Sequence, residues 1–126
     1  MRSMLSEKAK DALSGIGMNI EAIRGFTEGM TFSQFESDLR TFYAVSRALE
    51  IISEASRRLP DDLKERHGDL PWRAIRDLGN LYRHRYDRVI AALVWDTALN
   101  QLQALHDVVV RELAGDGTDV RDDAGA

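Results

Sequence analysis

The sequence predicts an all-α fold, an up-and-down helical bundle of four main helices with short connecting helices. Two observations carry this. Apolar residues recur at steps of three and four along most of the 126 residues. No segment shows two-residue alternation or a hairpin signal, and no repeat of solenoid length is present. The breaks between periodic stretches fall at glycines and at Pro60 and Pro71, where a helix ends or restarts.

Leu5, Ala9, Ala12, Leu13, Ile16, Ile20 and Ile23 mark the buried face of a first helix of about six turns. Gly15 and Gly17 weaken it and permit close packing or a bend, and Gly25 and Gly29 loosen its end. Thr31 or Ser33 restarts the chain, with a capping-box pattern in Ser33-Gln34-Phe35-Glu36. A second helix is expected from about Asp38 to Leu59. Phe42, Val45, Leu49, Ile52 and Ala55 form one face, which Ala44, Ala48 and Ile51 widen toward a second neighbour. Pro60 stops it, and residues 61–67 suit a short helical turn closed by Gly68. A further helix is expected to begin at Pro71 with Asp69 as N-cap. It places Trp72, Ile75, Leu78 and Tyr82 toward the core. A last helix is expected from Val89 to Leu113, with Ala92, Trp95, Leu99, Leu102, Leu105 and Val109 on one stripe. The helical domain is assigned to 1–114, and residues 115–126 read as an acidic flexible tail.

Composition narrows the function. A hydrophobic content of 44% suits one globular domain. The chain has no cysteine, which excludes disulfides, thiolate metal sites and a cysteine nucleophile. No apolar run approaches a membrane span and the first ten residues lack a signal-peptide core, so a cytoplasmic protein with no membrane partner is expected. His67 and His106 have no partners at metal-ligand spacing and read as surface or core-edge residues; no metal or cofactor is expected. The net charge is −4, of which the tail contributes −3, so the body is nearly neutral.

One stretch departs from that neutrality. Residues 71–88 hold five arginines against two aspartates, a local net charge of +3, together with His84, Tyr82 and Tyr86. A basic island carrying an imidazole suits an anionic ligand such as RNA phosphate. Arg76, Asn80, Arg83 and Asp87 recur on one helical face, and His84 lies one turn after Asn80. An imidazole takes or gives a proton near neutral pH. Glu50 and Glu54 read as the polar face of the second helix.

Pro71-Trp72-Arg73-Ala74-Ile75, then Gly79-Asn80, then Arg83-His84-x-Tyr86, resembles the HEPN-domain toxins of the HepT type. Arg47-x-Leu49-Glu50-Ile51-Ile52-x-Glu54-Ala55 is similar to the long second helix of that family, and Val94-Trp95-Asp96 to its last helix. The resemblance covers roughly Leu5 to Leu113 and implies a HEPN bundle. It implies the toxin of a type VII toxin–antitoxin pair, a metal-independent endoribonuclease acting on tRNA or mRNA without a cofactor. It implies His84 as the catalytic histidine, and a homodimer or a multiple of one with facing motifs. It also implies silencing by an MntA-like nucleotidyltransferase antitoxin that transfers AMP to Tyr86. Asn80 either orients His84, contacts phosphate or is satisfied locally. The family motif has an arginine five residues before its histidine, and here that position is Gly79. Arg83 is expected to substitute, with Arg76 as the other candidate. RNA phosphate is assigned to Arg76, Arg83, Arg85 and Arg88. The alternative reading is a non-catalytic helical binding or regulatory module that partners a nucleotidyltransferase.

Overall fold

The computed structural model describes residues 5–80 and 88–115, and the described residues form seven α-helices and one 3-10 turn, with no strand among them. These are α1 Glu7–Thr27, α2 Phe32–Glu36, α3 Leu39–Arg57, α4 Asp61–Arg66, α5 Trp72–Arg76, the 3-10 turn Leu78–Asn80, α6 Arg88–Asn100 and α7 Gln103–Gly115. No described helix is long and apolar enough to cross a membrane.

The centre of the molecule is α3. It packs against α1, α2, α5, the 3-10 turn and α6, while α7 covers the other side of α1. The sequence periodicity explains this directly. Every residue expected on the inner face of α1 is buried, and so are Phe42, Val45, Leu49, Ile52 and Ala55 of α3. Ala48 is buried too, which gives α3 the second contact face its apolar width predicted. Helix α1 is uninterrupted at its glycines. Gly17 lets α7 approach, since a Cβ there would lie 3.2 Å from Cγ1 of Val109. The starts are capped as their residue types dictate. Ser6 accepts from the amide of Ala9, and Asp38 accepts from the amide and hydroxyl of Thr41. The Thr41 hydroxyl and amide together hold the Asp38 carboxyl below the usual aspartate range.

Four expectations are corrected. The capping box is formed by Thr31 and Gln34, not by Ser33 and Glu36. The residue at the N-cap of α5 is Pro71, with no side-chain cap, rather than Asp69. The Pro71 helix is five residues long instead of continuing toward Tyr82. Its termination has a tertiary cause. The carbonyl of Arg76, which a continuing helix would offer to the amide of Asn80, instead accepts the Ser53 hydroxyl of α3. The Asn80 amide donates to Asp77 at 3.0 Å, which is the tighter 3-10 pairing.

The last helix is the fourth correction. It breaks at Gln101 and Leu102 into α6 and α7. In α6 the buried apolar positions among the described side chains are Ala91, Val94 and Ala98, one residue out of step with the expected stripe, and Ala92 and Leu99 are exposed. The break restores the phase, and Leu102, Leu105 and Val109 are buried as expected. Asn100 and Gln101 both turn their side-chain amides back to Asp96, at 2.8 and 3.3 Å, where the helix ends. The two segments then differ in their main neighbours: α6 meets α2 and α3 and touches α1, while α7 packs chiefly on α1. The aromatic side of the core belongs to this arrangement. Trp95 of α6 lies 5.0 Å from Phe35 and 6.3 Å from Phe32, ring centre to ring centre. The tail from 116 onward lies outside the described residues.

Candidate active site

The motif-bearing stretch falls between the 3-10 turn and α6 in the chain. Its two described edges are Asn80 and Arg88. His84, Arg83, Arg85, Tyr86 and Tyr82 lie between them, outside the described residues.

The first edge is fastened to α3. Gly79 is buried, and a Cβ at that position would meet the Glu50 Cα at 3.2 Å, with Glu50 Cγ and Ser53 Cβ at 3.5 Å. The nearest of these is backbone, which cannot rotate aside. Ser53, buried, holds the Arg76 carbonyl through its hydroxyl. The missing motif arginine therefore has a packing reason: the turn sits so close to α3 that only a glycine fits undisturbed. Beside this contact lies a notch of about 60 Å³ lined by Glu50, Ser53, Glu54, Arg57, Gly79 and Asn80. Asn80 is exposed at its rim. Glu50, expected only as polar surface, thus forms part of the wall, and Arg47 neutralises it at 2.5 Å.

The arginines assigned to RNA occupy separate surroundings where they are described. Arg76 is half exposed and its Nε lies 3.6 Å from Asp77. Arg88 anchors the second edge. Its Nη1 donates to both carboxylate oxygens of Glu36, at 2.8 and 2.6 Å, and its guanidinium lies 5.3 Å from the centre of the Phe32 ring. It stays 74% exposed, so a face remains open to an anion.

Sequence reasoning missed one constellation. Glu112 of α7 accepts from Nη2 of Arg66 at 2.8 Å and Nε at 3.3 Å, and it meets His67 Nε2 at 2.6 Å. Burial pushes the Glu112 carboxyl up, but the hydrogen bonds from Arg66 and His67 and the Arg66 charge outweigh it and hold the group below the usual glutamate range. The His67 carbonyl in turn accepts from the Trp72 indole at 3.0 Å. A partly buried carboxylate of the last helix thereby fixes the loop that leads into α5. The only signal in the sequence was Arg66-His67 itself, because the partner lies 45 residues away. His106 pairs with Glu21 at 2.8 Å on the α1–α7 seam. Among the described residues no group of three or more His, Cys, Asp or Glu side chains is placed to hold a metal ion.

Comparison with known proteins identifies the family. Residues 16–112 match the family model described as Ribonuclease HepT-like. A probable ribonuclease HepT of Thermococcus cleftensis is 38% identical over 96 residues, covering 76% of this chain and 87% of the relative. A putative RNase of Methanocaldococcus jannaschii is 34% identical over 84 residues, covering 67% and 69%. A putative RNase of Caldanaerobacter subterraneus subsp. tengcongensis is 33% identical over 82 residues, covering 65% and 73%. No solved structure matches. An all-α bundle built around α3, matched over most of its length, makes this chain a member of the HepT-like ribonuclease family.

Proposed function

We propose that this HepT-like ribonuclease is the toxin of a type VII toxin–antitoxin pair and cleaves tRNA or mRNA without a metal ion, through His84. The match along residues 16–112, which spans the whole basic island, carries the reading. The chemistry uses the 2′-hydroxyl of the substrate as nucleophile. A base removes its proton, O2′ attacks phosphorus, and the P–O5′ bond breaks as the leaving oxygen takes up a proton. The imidazole of His84 performs one of these transfers. A guanidinium stabilises the negative charge that builds on the non-bridging oxygens of the crowded phosphorane. Arg83 supplies it in this reading, since Gly79 cannot. Arg76, Arg85 and Arg88 hold neighbouring phosphates, and Asn80 positions the imidazole or a phosphate oxygen.

Control in this reading comes from an MntA-like nucleotidyltransferase that places AMP on Tyr86. The added phosphate sets negative charge among the arginines that RNA needs. Intact-mass spectrometry after co-expression decides this, and an unmodified toxin held only in a stoichiometric complex contradicts it. The test of the main reading is incubation of the purified protein with tRNA in the presence of a chelator. Fragments ending in 2′,3′-cyclic phosphate and 5′-hydroxyl are expected, and His84→Ala abolishes them. The packing at Gly79 favours a second reading, a non-catalytic helical module that partners the nucleotidyltransferase. It predicts intact tRNA in the same assay.

A further inference from the structure

The contact at Gly79 says where a motif side chain would have started. A Cβ there points at the Glu50 backbone and at Ser53, onto the surface of α3. Arg57 rises from that same surface, one helical turn beyond Ser53, and lines the notch together with Gly79 and Asn80. It is exposed and has no ion-pair partner among the described residues, whereas Arg47 is held by Glu50 and Arg88 by Glu36.

We propose that Arg57 of α3 is a phosphate-binding residue of the RNA site, placing beside Asn80 a second guanidinium in addition to that of Arg83. The inference rests on the ribonuclease reading above and adds to the site a helix outside the basic island. A guanidinium presents its N–H groups as a planar fork, which matches two non-bridging oxygens of a phosphodiester. Asn80, on the rim of the same notch, adds side-chain N–H donors. Glu54 lies one turn before Arg57 in the notch wall and opposes an anion there. Arg57 has five N–H donors, enough to engage this carboxylate and a phosphate together. The Glu50 charge on the same wall is already met by Arg47.

Two measurements on the full chain test this. The first is binding of a 2′-deoxy oligonucleotide, which cannot be cleaved, as a function of salt. Arg57→Ala is expected to weaken binding several-fold at low salt and to reduce the slope of log K against log salt by about 0.7, the loss of one phosphate contact on a single strand. Glu54→Gln is expected to tighten it. The second is tRNA cleavage, where Arg57→Ala lowers kcat by a factor on the order of 10² at an unchanged melting temperature. Arg57→Lys keeps the charge but not the fork, so it recovers KM more fully than kcat. Oligonucleotide affinity and salt slope unchanged by both Arg57→Ala and Glu54→Gln overturn the proposal. Cleavage at the wild-type rate by Arg57→Ala also overturns it, while leaving the ribonuclease reading intact. Arg57-dependent binding by a protein that cleaves no RNA supports Arg57 as a phosphate ligand and sinks the ribonuclease reading instead.

Discussion

At Gly79 the choice of residue is made by the backbone of another helix. A Cβ would stand 3.2 Å from the Glu50 Cα, closer than ordinary van der Waals contact. Restoring the family arginine by Gly79→Arg is therefore expected to destabilise the fold by about 1–3 kcal/mol, the range for overpacking, and to bring no gain in cleavage. Urea unfolding together with the tRNA assay checks this; a stable, more active Gly79→Arg protein would show that the turn can move away from α3. The departure at Gly79 was legible in the sequence from its spacing to His84. Its cause was not, because Glu50 and Ser53 approach only in the folded chain. Arg57 was invisible for the same reason, since nothing local distinguishes it from Arg58.

Among the elements, α1 and α3 were readable because their apolar residues keep one phase over the whole helix, and burial follows that phase. Two others failed where a contact from elsewhere overrides local preference. Ser53 takes the Arg76 carbonyl and ends α5, and a break at Gln101 and Leu102 lets α6 reach α2 and α3 while α7 packs on α1. The Arg66–His67–Glu112 clasp joins α4 to α7 across the entrance to α5 and carries a pH signature. The Glu112 carboxyl is held lower in the folded protein than in the unfolded chain, so its contribution is fully present above the ordinary value of 4.5 and is lost as the pH falls through the folded value. Glu112→Gln is expected to cost about 2 kcal/mol near neutral pH, for the loss of charge-assisted bonds to a half-buried partner pair. It should also flatten the acid side of the melting-temperature profile. An acid limb identical to that of the wild type would remove the clasp from the account.

At the scale of the whole molecule, a homodimer is predicted with its two basic islands on one shared cleft, which would double the positive charge offered to RNA. Exposed Leu39 and Tyr43 on α3 provide apolar surface beyond the needs of the monomer core. Light scattering is expected to give twice the 14.2 kDa of one chain, or a multiple of that. A strictly monomeric mass contradicts the shared cleft. The chain is predicted to cleave RNA although the close packing of Gly79 on α3 leaves no motif arginine at that position. Single-turnover cleavage of tRNA by the wild type, His84→Ala and Arg83→Ala tests it most directly. Measurable cleavage by the wild type is predicted, with a fall on the order of 10² or more in both variants, at unchanged stability. A wild type that leaves tRNA intact, or an Arg83→Ala protein that cleaves at the wild-type rate, contradicts it.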